Sequence, residues 1–457
     1  MDDYCCSTPM KLVLLRRCEL VKPSPFGGQG ELLFAGIGCG LWFIALFFRL
    51  SVRDDSWTWM EKLVECIALV GFSGVPVFFF ATPPGSRWVR SVLLKYDGLF
   101  FQLGICCALA LYIFPVAYLG WDPNKFSWLG PLRRVISDNP FSFNAMAFLS
   151  AAFIVLRLPF LFLKLRSQPP LIKHISHISK LFSHHLEITI VLTLHLIACS
   201  VLITDGYLLG FAYIVVFLGM NLPFSRQPSC GQRLQVFDFF LVLTCLGAMI
   251  LFSSLHFDFA SFISVHLFIV VVMYGTGLGR EHFGYSFQVR LMDLKYYLKI
   301  TAIACIVLIP LTLGLQFNRP LSGIPSPMEI VTYLILFSFR VGVMEEILFR
   351  SGLMVFVRDS LYRWQKAPQS QNQLVIMSTV ITAIIFGVFH FGNNPGDGSL
   401  LSELEFKAVY IFLGSIAATF YGLAFGETNR LWCSVFLHGL IDTTAVLLLK
   451  VPLTAPF

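Results

Sequence analysis

The segment RVGVMEEILFRSGLM, Arg340 to Met354, places Glu345, Glu346 and Arg350 inside an apolar run that begins near Met328. Ionisable groups within a membrane-length apolar segment are costly to bury and mark a functional site by default. Glu346 and Arg350 are four residues apart with the acid N-terminal to the base, so on a helix they share one face in the favourable order. Glu345 is turned about 100° from Glu346, because a helix makes one turn per 3.6 residues. The arginine then neutralises one carboxylate while the other points elsewhere, free to titrate. Two neighbouring acids in different environments separate a structural carboxylate from a working one.

The surrounding chain has the composition of a membrane. Of 457 residues, 56% are hydrophobic and 13% charged, with 47 phenylalanines and a mean hydropathy of +0.76; a soluble domain carries about 25% charged residues. A polytopic protein embedded in a lipid bilayer follows. The net charge of +7 arises from basic residues spread between apolar runs, as the positive-inside bias of short loops requires. That distribution gives no support to nucleic-acid binding, and no nucleic-acid partner is expected. Twelve cysteines lie mostly in apolar runs and form no C-x-x-C pair, which excludes a disulfide or zinc-ribbon framework.

Windows of about 20 apolar residues mark spanning helices. Candidates fall near 32–50, 63–81, 99–119, 143–163, 186–204, 207–223, 237–255, 260–278, 298–316, 328–350, 374–391, 404–424 and 431–449. The fold class predicted is all-α, a transmembrane bundle of roughly 12–13 spans, since the alternation of a closed β-barrel is absent. Residues 1–30 have no apolar core of a signal peptide and read as a non-membrane segment. Residues 31–165 read as accessory transmembrane helices and 186–457 as the core, divided by the basic connector from Arg157 to Lys180. The loops holding Lys164 to Lys180, Arg280 to Lys299 and Arg358 to Lys366 are expected on the cytoplasmic side. The membrane itself, a bacterial inner membrane or an endoplasmic reticulum, is not distinguished by composition.

Two further constellations follow the first. Phe386-x-x-x-His390 closes the next apolar helix, and His438-x-x-x-Asp442 lies in the last one. His438 and Asp442 are i and i+4, so both face one target. Glu345 is about 20 Å of helix from Arg358, and His438 about 10 Å from Leu431 at the same end; with tilt, the groups are compatible with one pocket. A carboxylate and an imidazole within reach of one water can deprotonate it and later protonate a leaving amine. A second histidine with a polar partner can donate to a developing oxyanion. Taken singly, each element has a plainer reading: an ion pair that stabilises a helix, or a core histidine. His195 and His266, also in apolar runs, are read as structural, and His174, His177, His184 and His185 as a solvated connector.

The order EExxxR, FxxxH, HxxxD resembles the CPBP group, the CAAX prenyl endopeptidases and bacteriocin-processing intramembrane proteases. Glu345-Glu346-Ile-Leu-Phe-Arg350-Ser-Gly is similar to the family's first motif, with Ser351 where a glycine is more common. Ile385 to His390 resembles the second, and Arg430-Leu-Trp432 ahead of Phe436-Leu-His438 the approach to the third. The resemblance covers roughly residues 270 to 450. It implies a glutamate-dependent intramembrane endopeptidase with a CPBP-like core, acting on a membrane-associated protein or peptide, prenylated in one branch. Glu345 with His390 would activate the water, His438 and Asp442 would line the oxyanion side, and Glu346 with Arg350 would hold the helix. Asp442 stands where the prenyl-protease branch more usually has Asn. An ionised aspartate repels an oxyanion, so Asp442 either orients His438 or itself carries a proton.

No cofactor is expected. Glu345, His390 and His438 are also zinc-ligand types and form the alternative metal set, although no HExxH helix accompanies them. The rival reading is a non-proteolytic membrane protein, a transporter or a scaffold giving immunity to a peptide, since intramembrane Glu, His and Arg also build proton relays. Transporters of this size often carry broken helices in both halves. Here the polar residues gather in one third of the chain, which favours the enzyme.

Overall fold

The computed structural model describes residues 27–53, 57–96, 279–317, 325–364, 370–393 and 401–448, together with positions 265, 269, 273 and 395. Among them the elements are all helical. Four helices are long and apolar enough to cross a membrane: Glu31–Val52, Leu291–Gly314, Gln371–Gly392 and Glu403–Thr428. This is an integral membrane protein. The candidates between 99 and 255 lie outside the described residues, as does 260–278 apart from three isolated positions. So do the histidines between 174 and 266.

In chain order, α1 is Gly27–Arg53, and α2 (Trp59–Leu69) passes through a π-helical stretch, Val70–Gly74, into α3 (Val75–Phe80). α4 (Pro83–Tyr96) and α5 (Leu291–Gly314) follow. One long helical run then carries the acidic motif: α6 (Pro327–Leu336), a π-helix Phe337–Gly342, α7 (Val343–Glu346), a second π-helix Ile347–Met354, and α8 (Val355–Trp364). α9 (Gln371–Phe389) ends in a 3-10 turn, His390–Gly392. α10 (Glu403–Thr428) and α11 (Leu431–Thr443) complete the bundle.

The starts of these helices are written locally. Ser326 with Glu329, Ser370 with Gln373 and Ser402 with Glu405 each form a reciprocal capping box at the head of α6, α9 and α10, which satisfies backbone N–H groups that have no partner within the helix. α10 stops because Asn429 adopts a left-handed conformation, φ 49°, open to Asn at little cost. Its N–H donates to the Phe425 carbonyl at 2.7 Å, and α11 begins two residues later with Leu431 N–H donating to the Gly284 carbonyl at 3.0 Å.

α9 and α10 pack along their length through a seam of small residues. Gly414, Ala418, Gly422 and Gly426 recur every four residues on α10. Gly414 meets Gly387, Gly422 meets Thr379 and Gly426 meets Val375. Small residues let helix backbones approach where lipid offers no hydrophobic drive for association. A Cβ on Gly387 would run into Ser415 Oγ and the Ile411 carbonyl oxygen, and a carbonyl cannot swing aside. Gly387→Ala is therefore expected to cost about 1–3 kcal/mol of stability, read as a lower unfolding midpoint in detergent; an unchanged midpoint would show the seam to be slack. α11 approaches the first π-helix equally closely, Gly439 lying against Ser338.

The first two spans are not remote from this core. α1 packs on α6, with Arg49 over the Tyr333 ring at 5.0 Å. The loop before α5 ties several elements together at one end of the bundle. Arg280 pairs with Glu31 of α1 at 2.5 Å and donates to the Ala81 carbonyl. Tyr285 donates to the Val77 carbonyl, and Phe287 packs on Phe34 and Phe78. His282 reaches Asp359 of α8 at 3.0 Å, so two of the basic loops assigned to one side of the membrane do lie at one end. The division proposed between 165 and 186 falls outside the described residues.

Candidate functional site

The motif helix is not a plain α-helix where it matters. Glu345 and Glu346 close a single α-turn between two π-helical stretches. π-helical insertions re-aim side chains and occur often at functional sites. Both acids are inside the protein: Glu346 and Arg350 have no exposed surface and Glu345 has 4%. Such charges survive burial only if paired.

Each oxygen of Glu346 has a nitrogen of another side chain close by. Its Oε2 ion-pairs with Arg350 Nε at 3.1 Å, and its Oε1 meets His438 Nδ1 at 3.0 Å. Arg350 extends Nη2 to the Ala418 carbonyl of α10 at 3.2 Å. The rest of its guanidinium lies over two rings, Phe386 at 5.1 Å and Tyr421 at 5.4 Å, whose faces attract a cation. The sequence reading assigns Glu346 only to the helix-holding ion pair. Its bond to His438, 92 positions away, has no trace in the linear spacing.

His438 stands at the centre. Besides Glu346 at Nδ1, its Nε2 faces Asp442 Oδ2 at 3.3 Å and Glu345 Oε2 at 3.8 Å. The i, i+4 pair predicted from HxxxD is thus formed. Among the described residues neither Glu345 Oε2 nor Glu346 Oε2 makes a hydrogen bond; the two differ in that Glu346 Oε2 has the arginine at 3.1 Å, whereas the 3.8 Å from Glu345 to His438 is too long for a hydrogen bond. Asp442 is 29% exposed against 4% for His438, so the group opens on the Asp442 side.

His390 sits at the end of α9, in the 3-10 turn. Its Nδ1 lies 2.9 Å from the Phe386 carbonyl, an acceptor, which assigns the proton to Nδ1 and leaves Nε2 as the free ring nitrogen. The Phe386 ring lies between the histidines, 4.6 Å from His390 and 5.9 Å from His438. No three His, Cys, Asp or Glu side chains among the described residues converge on a point a metal could occupy.

One contributor is absent from the motif reading. α10 supplies Tyr421, whose ring stacks on His438 at 4.6 Å and 10°, and Tyr410, whose ring lies 5.1 Å from His390. In an apolar helix an aromatic residue reads as packing, and nothing local distinguishes these two. Their separation of eleven residues, three full turns, is the one signal that was there to find.

Residues 327–444 match the family model described as Type II CAAX prenyl endopeptidase Rce1-like. This part of the chain is a domain of that family, in agreement with the motif resemblance, and it contains every motif residue named above. The family supports a protease with a membrane-associated protein as substrate. No curated protein and no solved structure matches the chain.

Proposed function

We propose, from the Type II CAAX prenyl endopeptidase Rce1-like domain at residues 327–444, that the chain hydrolyses a peptide bond near the C-terminus or juxtamembrane part of a membrane-associated protein or peptide, with water activated by Glu345. The observation that carries this is the contrast between the two acids. Glu346 has Arg350 at 3.1 Å and His438 at 3.0 Å, whereas Glu345 is buried with its Oε2 3.8 Å from His438 Nε2, beyond hydrogen-bond range. A buried carboxylate beside an imidazole, with that imidazole outside hydrogen-bond distance, is placed to act as a general base.

In this reading Glu345 takes a proton from a water shared with His390, and the water oxygen bonds to the scissile carbonyl carbon. The carbonyl electrons move to oxygen, where His438, its ring held by Glu346 at Nδ1, turns its Nε2–H from Asp442 to donate to the oxyanion. Collapse reforms the carbonyl and breaks the C–N bond, and Glu345 returns the proton to the leaving amine. Asp442 acts through His438: it keeps the Nε2–H in place until the oxyanion forms, rather than touching the oxyanion, which it would repel. Asp442→Asn keeps an acceptor oxygen for that bond and is expected to retain cleavage, whereas Asp442→Leu is expected to lose it. Equal loss in both would move Asp442 out of the positioning role.

The deciding experiment is cleavage of a farnesylated CAAX peptide and its unprenylated counterpart by purified full-length protein in detergent. Wild type and Glu345→Gln are run with and without a chelator. Product from wild type alone, indifferent to chelator, supports the glutamate mechanism. Chelator-sensitive product overturns it in favour of a metal, and no product from either peptide favours the non-proteolytic rival.

A further inference from the structure

We infer that α10, which carries none of the three motifs, sets the relative placement of the two histidines through Tyr410 and Tyr421, acting as positioning residues. Only the kinetic arm of the test rests on the proposed peptidase reading.

His390 and His438 belong to different helices, and the Phe386 ring lies between theirs. Each instead meets a tyrosine of α10. Tyr421, 2% exposed, lies flat on His438 at 4.6 Å and 10°. That stacking fixes the plane of the imidazole, and the plane decides whether Nδ1 can meet Glu346 while Nε2 meets Asp442. Tyr410 holds the other histidine twice over. Its ring lies 5.1 Å from His390, and its hydroxyl hydrogen-bonds the Asn393 side chain. Asn393 N–H in turn donates to the His390 carbonyl at 3.0 Å, which closes the turn that presents His390.

Eleven residues of α-helix rise about 16 Å and return to within about 20° of the same face. The two tyrosines are thus fixed marks on one rod. The rod is itself anchored: the small-residue seam locks it to α9, the Ala418 carbonyl accepts from Arg350 at 3.2 Å, and Asn429 sets its junction with α11. Arg350 also lies over the Tyr421 ring at 5.4 Å, so the acidic motif and His438 meet on one side chain. A misplacement of about 1 Å in a catalytic group costs about 10²-fold in rate, which gives such a spacer a function beyond filling space.

The test compares Tyr421→Leu, Tyr421→Phe, Tyr410→Leu and Tyr410→Phe in the full-length protein. The first readout needs no substrate: the rate at which diethyl pyrocarbonate modifies each histidine, followed by peptide mass mapping. Tyr421→Leu should accelerate modification of His438 by about tenfold and leave His390 unchanged. Tyr410→Leu should do the reverse, and both Phe variants should resemble wild type because the ring stays. Such site-selective loosening is the sign of local packing rather than global opening. Acceleration at both histidines by either Leu variant, or at neither, overturns the proposal in favour of general core packing. The second readout is cleavage of the CAAX peptide. The Leu variants should lose about 10²-fold in kcat with KM unchanged, and the Phe variants should keep activity. If wild type cleaves nothing, the peptidase reading fails alone, and the modification pattern still decides the role of α10.

Discussion

Glu345→Gln in the full-length protein is expected to lose cleavage by about 10²–10⁴-fold, the range general acid–base groups contribute, with its unfolding midpoint close to wild type. The two halves of that expectation come from the same geometry. Glutamine fills the same volume, and the oxygen it alters makes no hydrogen bond among the described residues, so little of the fold depends on the charge. The chemistry depends on it entirely, because an amide cannot accept the proton of an attacking water. His390→Ala is expected to follow the same pattern. Wild-type cleavage by Glu345→Gln would eliminate Glu345 as base and, with it, the mechanism proposed above.

Arg350→Ala is expected to fail in the opposite way, by losing the fold. It would strand a Glu346 carboxylate with no exposed surface and cut the link to α10 through Ala418. Removing one partner of a buried pair costs about 3–5 kcal/mol, more than most residues in the bundle can cost, and thermal unfolding in detergent would report it. Neutralising the partner as well, in Glu346→Gln/Arg350→Met, should restore much of the stability, because no lone charge then remains. Cleavage should not return with it, since His438 Nδ1 would face an amide in place of the carboxylate that now holds it. Recovery of both together would show that Glu346 only stabilises the helix.

The spans near the motifs were legible because lipid enforces an uninterrupted apolar run. The windows 374–391 and 404–424 correspond to α9 with its 3-10 turn (Gln371–Gly392) and to α10 (Glu403–Thr428), with ends displaced by the polar caps Ser370 and Ser402. The pairs Glu346–Arg350 and His438–Asp442 were legible because a helix converts a spacing of four into contact. Three features were not. The π-helical stretches that flank the two acids, the first of them where Gly439 of α11 meets Ser338, correspond to no residue pattern read from the sequence. The Glu346–His438 bond joins positions that only the folded bundle brings together. Tyr421 and Tyr410 have the same chemistry as any core aromatic, and their partners come from other helices.

The clasp formed by Arg280 also has a consequence in time. Glu31 leaves the ribosome 249 residues ahead of its arginine, an interval of roughly 12–50 seconds at ~5–20 residues per second. Throughout that interval the first helix carries an acid at its end with its eventual partner still unmade. This part of the bundle therefore closes late, by a contact between α1 and a loop made 249 residues after its acid. Quality-control machinery that surveys half-made membrane proteins would meet this chain with its first helix waiting.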